Sequence, residues 1–354
     1  MTSLNILVLG AAYGLLPAVR ICLAGHRVTL VCRDQEQAQI SDHGASVTLL
    51  RRGGQIEKRL HVPARRGLAA EGVLGLTGTE VSPKGFDLVL LAMGEPQYAA
   101  PEVTALVQRI GEAGLPVISL MNAPPPPFLR RLSTFDVAEL EPAYRSWEAW
   151  QAIDPERITA ASPDAQAVRL DPGRPNDLTV TLTSNFKVAP FARPAHQEML
   201  ETLARDVSAY RVEGAPLPVR ILSHRAVHVP LAKWPMLIAG NCRCLRPDGT
   251  IVTIREAVHT DLEESRALYD WTLDVVLGAG AERDDLVPFE PYAKAALALT
   301  RPSSFAKAIG AGAPAVERVD KMVQRTAQAL GLDATPGLDA LVGQVDAVLA
   351  TRNG

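Results

Sequence analysis

Between an apolar run, Ile6-Leu7-Val8-Leu9, and a segment of helical periodicity over residues 15–24 stands the short stretch Gly10-Ala11-Ala12-Tyr13-Gly14. A glycine turn from strand to helix lets backbone amides approach an anion, and the helix N-terminus adds partial positive charge. The pyrophosphate of a dinucleotide is the ligand such a turn suits. Gly10 and Gly14 fit the glycine roles, with Ala11, Ala12 and Tyr13 lining the turn between them. The turn is shorter than G-x-G-x-x-G and has alanine where the middle glycine stands, so its weight comes from context. That context is a βαβ unit: Gly25-His26 and a second run, Arg27-Val28-Thr29-Leu30-Val31-Cys32, follow at the expected distance. Arg33 closes this run, with Asp34 behind it. An acidic side chain here bonds a ribose 2′-hydroxyl, whereas an arginine fork pairs with a 2′-phosphate. Arg33 therefore favours NADP, and Asp34 leaves NAD open.

The elements that must hold this turn continue downstream. The apolar stretches Phe86-Asp87-Leu88-Val89-Leu90-Leu91-Ala92-Met93 and Pro116-Val117-Ile118-Ser119-Leu120-Met121 read as strands covered on both faces, with helical periodicity over residues 100–114 between them. Repeated strand and helix alternation implies a doubly wound α/β (Rossmann-type) domain. Residues 155–192 look strand-rich, with an alternating run at 178–183, and are expected to complete the same sheet; residues 196–209 read as a helix. Pro124 to Pro127 supply no backbone donors and predict a stiff, extended stretch, read either as a spacer or as a substrate-lining loop. From about residue 216 the pattern turns to amphipathic segments at 229–239, 261–277, 314–330 and 338–350, with a turn at Pro247-Asp248-Gly249. The reading is α/β, with a Rossmann domain over residues 1–214 followed by an all-α domain for substrate binding and dimerisation over 215–354.

Composition narrows the function classes. At 354 residues and 47% hydrophobic content the chain can bury two cores. The 36 basic and 39 acidic residues are spread without a basic block, which argues against nucleic acid as a partner. No apolar run has the length of a membrane span. The opening residues run straight into the first strand, so no secretory leader is expected. Cys22, Cys32, Cys242 and Cys244 lack the spacing of a zinc site and are expected to be reduced thiols of a cytoplasmic protein, with no metal implied.

Several of these stretches, in order, resemble the ketopantoate reductases (2-dehydropantoate 2-reductases). The residues concerned are 25–33 with Gly44-Ala45-Ser46-Val47, the run at 87–93, Ser119-Leu120-Met121-Asn122, Pro247-Asp248-Gly249-Thr250-Ile251, Ser303-Ser304-Phe305 and Val316-Glu317-Arg318-Val319-Asp320. The similarity extends from about residue 4 to about residue 332. It implies a cofactor-binding domain followed by a helical one, and hydride transfer from a nicotinamide cofactor to a 2-oxo acid. It implies also that Met93, Gly94 and Asn122 border the cofactor, and that Asn122, Ser304 and Glu317 surround the substrate, the last as general acid on a helix.

Both lysines of the family pattern are replaced. Gly94 stands where one follows the fourth strand, and Met236, in Trp234-Pro235-Met236-Leu237, where the other follows a tryptophan. An ammonium there would neutralise a carboxylate and protonate the nascent alkoxide; methionine does neither. Ketopantoate is thus not the expected substrate, and a ketone or imine of another small molecule takes its place. Lys233, three residues before Met236, shares its helical face if the helix runs through Pro235, and is read either as a partial replacement or as a surface lysine. His228 is the acid/base candidate of a second reading, an opine-type reductase joining an amino acid to a 2-oxo acid, since opine-forming dehydrogenases share this two-domain plan and histidine titrates near neutrality. A structural histidine and a non-catalytic NADP-binding protein remain open beside these. Apolar helix faces lead to the expectation of a homodimer.

Overall fold

The computed structural model describes residues 3–51, 54–65, 67, 72–132, 134–163, 165–333 and 335–353. The chain divides into two compact units, the first made of the stretch ending at Met93, Gln97–Phe128 and Glu148–Arg225. The second is Gly94–Pro96, Leu129–Trp147 and the stretch from Ala226 onward. The sequence reading puts the change at 214/215; the compact units change at Arg225/Ala226, and two short excursions from the first half belong to the second unit.

In the first unit the strands are β1 (Asn5–Leu9), β2 (Arg27–Val31), β3 (Ala45–Leu50), β4 (Ile56–Val62), β5 (Val73–Leu76), β6 (Leu88–Leu91), β7 (Val117–Ser119), β8 (Ile158–Ser162), β9 (Gln166–Val168), β10 (Asp177–Leu182), β11 (Phe186–Val188), β12 (Arg211–Val212), β13 (Ala215–Pro216) and β14 (Ile221–Ser223). Its helices are α1 (Leu15–Leu23), α2 (Asp34–His43), α3 (Pro101–Glu112), α4 (Pro126–Leu129), whose last residue already belongs to the second unit, and α5 (Pro194–Ala209).

The main sheet has the order β14-β11-β8-β7-β6-β1-β2-β5. From β5 to β8 all neighbours are parallel; β11 then runs antiparallel to β8. Every residue of β1 is buried, as a strand covered on both faces requires. The chain moves outward from β1 through β2 to β5, then returns to the other side of β1 as β6. The order thus reverses between β1 and β6, the switch point beside which open α/β sheets bind ligands. Registers Leu9↔Val31 and Leu9↔Leu91 bring the carboxyl ends of β2, β1 and β6 level.

α1 starts at Gly14 without a side-chain cap and buries Leu15, Leu16, Ala18, Val19 and Ile21. α3 begins with proline in its first turn, where the missing amide costs nothing, so its start matches the expectation. The proline stretch does not stay extended: α4 begins at Pro126, because φ fixed by proline is also the φ of a helical first turn.

A second sheet, β4-β3-β10-β9, was not foreseen. Of the 155–192 stretch, β8 and β11 join the main sheet as expected, while the alternating 178–183 run goes here, as β10 beside β3. The reason is the pleat: Ala45, Val47 and Leu49 alternate inward on β3, and with Leu60, Val62, Leu178 and Val180 they join the core that α1 lines. Gly44, at φ +69°, permits the abrupt entry into β3; a Cβ there would lie 2.1 Å from the Val62 carbonyl oxygen.

The second unit is helical as expected among its described residues, apart from one bridge between Leu245 and Ile251. Its helices are α6 (Trp234–Met236), α7 (Ile254–His259), α8 (Leu262–Gly278), α9 (Phe289–Ala296), α10 (Ser304–Gly310), α11 (Val319–Ala329) and α12 (Pro336–Asn353). Helical turns of other pitch flank α6: a 3-10 turn at Leu231–Lys233 before it, and a π turn at Leu237–Asn241 after it. Pro235, lacking an amide, stands in the first turn of α6 and explains the change of pitch at that point. No helix among the described residues is long and apolar enough to cross a membrane.

Because Leu49 is fully buried in the core shared by α1 and the second sheet, Leu49→Ala should cost about 2–5 kcal/mol in urea unfolding. A loss below about 1 kcal/mol would show that the second sheet is not part of that core.

Candidate functional site

In the first unit the glycine turn sits at the carboxyl end of β1. The Gly10 amide donates to the Val31 carbonyl oxygen at 3.0 Å. At φ +103°, Gly10 also lies so close to its neighbours that a Cβ would come within 2.4 Å of Met93 Cγ and 3.1 Å of the Ala92 carbonyl oxygen. A Cβ on Gly14 would meet the Gly10 carbonyl oxygen at 2.1 Å. Both glycines are therefore demanded by close approach, and Met93 packs directly on the turn. Ala11 is buried, Ala12 exposed, and Tyr13 is tied down by its hydroxyl, which donates to the Ala165 carbonyl oxygen at 2.9 Å, and by an edge-on contact with Phe186. Asn122 is half-buried, three residues past the end of β7. The strand, tight turn and helix start without a side-chain cap suit the pyrophosphate of a dinucleotide.

Arg33, exposed, caps α2 after β2; its amide donates to Glu36 Oε2 at 3.0 Å. Two residues that sequence reading passed over stand beside it. Glu36 is largely buried and pairs through Oε1 with Arg169 Nη1 at 2.6 Å, and Arg169 Nη2 donates to the Ala11 carbonyl oxygen at 3.0 Å. Arg33, Glu36 and Arg169 wall a pocket of about 290 Å³ with Gln35, Pro172 and Pro175. Arg169 follows β9, in the unforeseen sheet, so no motif signalled it. Glu36 carried a weak signal, standing three residues after the helix cap.

The second unit holds the other chemistry-bearing residues, and it corrects the placement of Glu317. This residue is not on a helix but in the irregular segment two residues before α11, half-buried. The segment is fixed by its neighbour. Arg318 donates through Nε to Asp320 Oδ1 at 3.0 Å and through Nη2 to Oδ2 at 2.8 Å, and reaches Asp346 of α12 through Nη1. Lys321 joins the network at Asp346 Oδ2, 3.0 Å away. Asp320 is completely buried.

Glu317 Oε1 accepts the Glu95 amide at 3.3 Å, and a Cβ on Gly94 would lie 3.8 Å from Glu317 Cγ. The position that carries a lysine in the resembling family thus borders Glu317 directly. Glu95 is itself 1% exposed. Its Oε1 accepts the Ser146 amide at 2.7 Å and the Ser146 hydroxyl at 2.6 Å. Burial pushes the Glu95 carboxyl up, against the pull of these hydrogen bonds. Burial, and then the Glu95 and Glu317 carboxylates, push the Tyr144 hydroxyl well above the phenol range. Sequence reading missed Glu95, Tyr144 and Ser146. The position of Glu95, the first charge after a buried strand, was the only hint.

The other expected residues lie elsewhere in the unit. Ser304 is exposed on the first turn of α10, while the adjacent Ser303 is its cap, accepting the Ala306 amide at 3.1 Å and donating to the Asn241 carbonyl oxygen at 2.7 Å. Lys233 is half-buried and ends the 3-10 turn before α6. His228 lies where α8 ends, its Nε2 3.1 Å from the point a Gly280 Cβ would occupy; burial lowers its pKa, partly opposed by a hydrogen bond to the Ala279 backbone. Met236, also half-buried, receives the Tyr292 hydroxyl on its carbonyl oxygen at 3.1 Å.

No family model matches the sequence, and no curated protein does. Solved structures match the fold over nearly the whole length. A PanE/ApbA-family ketopantoate reductase from Ralstonia eutropha is 18% identical, with 99% of each chain covered and a TM-score of 0.67. The 2-dehydropantoate 2-reductase of Methylococcus capsulatus is 15% identical, covering 99% of this chain and 98% of its own, with a TM-score of 0.68. D-Mandelate dehydrogenase, solved with NADH, is 15% identical, covering 98% and 99%, with a TM-score of 0.61. These likenesses agree with the expected fold, a Rossmann-type α/β domain followed by a helical one.

Removing Arg318 strands Asp320 as a buried, unpaired charge. Arg318→Ala should therefore cost about 3–5 kcal/mol in denaturant unfolding; a change under about 1 kcal/mol would mean the pair does not hold the Glu317 segment. Glu95 gives a pH test. A carboxyl raised by folding stabilises the protein fully below its unfolded pKa, and that contribution is lost as pH rises through the folded value. Glu95→Gln, fixed uncharged, should lose less stability than the parent as pH rises from the ordinary glutamate range through the raised folded value. Equal pH slopes would contradict the burial of that charge.

Proposed function

We propose that this chain is an NADP-dependent reductase that delivers hydride to a ketone or imine of a small molecule other than ketopantoate. The observation that carries the proposal is the glycine turn at the switch point, opening an uncapped helix and followed by Arg33 at the end of β2. The full-length likeness to reductases and to a dehydrogenase solved with NADH supports the same reading.

In this reading the turn from Gly10 to Gly14, with Met93 packed on it, holds the pyrophosphate, and Arg33 takes the 2′-phosphate. By resemblance, Gly94 and Asn122 are further cofactor contacts in this reading. The bound nicotinamide supplies the hydride. The chain's task is to hold and release a proton for the oxygen or nitrogen that hydride transfer leaves electron-rich. Glu317 is suited to it: the Glu95 amide fixes Oε1, and the Arg318 network fixes the backbone on which the carboxyl stands. The proton that this carboxyl holds is the one transferred. Tyr144, kept protonated by its surroundings, is a hydrogen-bond donor beside these carboxylates. Ser304 and Lys233 are secondary contacts in this scheme, and His228, anchored on the Ala279 backbone, has no proton-transfer role.

Replacing both family lysines by Gly94 and Met236 removes the cations that would neutralise a substrate carboxylate. The substrate in this reading is therefore a ketone or imine other than ketopantoate.

Purified protein should bind NADPH in a fluorescence titration and oxidise it with members of a ketone and imine panel. Glu317→Gln should leave NADPH affinity unchanged and lower kcat by about 10²–10⁴-fold, the usual worth of a general acid. Absence of binding to either dinucleotide would overturn the proposal; binding with an unaffected Glu317→Gln variant would overturn the role of Glu317.

A further inference from the structure

We infer that Arg169 is a second determinant of cofactor choice, forming with Arg33 a two-guanidinium cradle for a phosphomonoester on the adenosine ribose, with Glu36 as the residue that holds Arg169 in position. The inference rests on the dinucleotide reading above and concerns a side chain outside every motif that led to it.

The geometry has three parts. First, Arg169 directly follows β9 in the second sheet, and β9 is strapped to the glycine turn by the residues that flank it: the Tyr13 hydroxyl donates to the Ala165 carbonyl oxygen, just before the strand, at 2.9 Å, and Arg169 Nη2, just after it, to the Ala11 carbonyl oxygen at 3.0 Å. Second, the guanidinium is anchored on one further edge by Glu36 at 2.6 Å, while its buried Nε has no hydrogen-bond partner among the described residues. Third, Arg33 and Arg169 face one pocket, of about 290 Å³, at the end of β2, with Glu36 between them.

Charge inventory decides what this pocket accepts. Two arginines and one glutamate leave one net positive charge, and the carboxylate is neutralised at short range by Arg169. A dianion entering the pocket meets guanidinium groups and no uncompensated carboxylate. Without Arg169 the same pocket holds one arginine and a largely buried carboxylate whose partner is gone. That carboxylate repels a phosphate yet accepts hydrogen bonds from ribose hydroxyls. Arg169 therefore sets the sign of the pocket, and its loss should move preference from the phosphorylated cofactor toward the unphosphorylated one. An arginine that merely braced the glycine turn would, on removal, weaken both cofactors alike.

The test is a binding titration of the full chain with NADPH, NADH, adenosine 2′,5′-bisphosphate and adenosine 5′-monophosphate, with thermal melting as a check on folding. Arg169→Ala should weaken NADPH and the bisphosphate by about 10- to 100-fold, as loss of a charge-assisted contact does. NADH and the monophosphate should change less than about threefold, below the worth of one such contact. Adding Glu36→Gln to Arg169→Ala should restore part of the NADPH affinity, because the repelling charge is then gone, and Arg169→Lys should retain part of the preference. Equal weakening of all four ligands, or no change in any, with NADPH still bound by the parent, overturns the role of Arg169 and leaves the cofactor reading standing. If the parent binds no dinucleotide at all, the cofactor reading falls and this inference with it. If Arg169→Ala melts out, Arg169→Lys and Glu36→Gln carry the same comparison, and a phosphate preference that neither alters overturns the inference.

Discussion

Strand β1 is hydrogen-bonded in parallel on both sides, and the nucleotide side of the protein depends on that arrangement. Because β2 and β6 run in the same direction and in level register, the segments leaving the three strands emerge at one edge. They are the glycine turn after β1, Arg33 after β2 and Met93 after β6. The parallel ladder also requires a crossover helix between β1 and β2, and that helix begins at the turn. Sheet direction, helix dipole and turn geometry are therefore one constraint. Met93 makes the coupling tight: it fills the space a side chain at position 10 would need, so neither residue can change alone.

In the second unit the governing interaction is a buried ion pair. Desolvating Arg318 and Asp320 is expensive, and their direct contacts, extended to Asp346 and Lys321, offset that cost only in one geometry. The irregular backbone just ahead of α11 is therefore positioned by charge pairing and not by helical hydrogen bonds. Glu317 inherits that position. It meets the Glu95 amide, and Glu95 in turn is held by Ser146, so two carboxyl groups are placed by neighbours that come from three separate stretches of chain.

These interactions explain how much of the molecule the sequence made legible. β1, β2, β6 and β7 were readable because strands buried on both faces are continuous apolar runs, and α3 because proline and glycine mark its ends. The second sheet was not readable. β3 and β4 alternate polar with apolar residues on a pleat half open to solvent, and their partner β10 lies more than a hundred residues away, so only tertiary packing reveals that the 178–183 run belongs with β3. Arg169 was hidden for the same reason: its neighbours Ala11 and Glu36 are distant in sequence. Glu317 was found through a resemblance but assigned to a helix, since nothing local says that α11 begins two residues later at Val319. Glu95, Tyr144 and Ser146 were missed because a loop that leaves one compact unit to join another has no periodicity to read.

The two lysine losses and the carboxylate cluster belong together physically. A lysine at position 94 would begin its side chain beside Glu317, and the pair would neutralise each other. With glycine there, the amide of the next residue is the donor that meets the Glu317 carboxyl, and a neutral amide offsets less charge than an ammonium. In the proposed chemistry, the proton that an ammonium at position 94 would have supplied comes instead from the Glu317 carboxyl, its former neighbour.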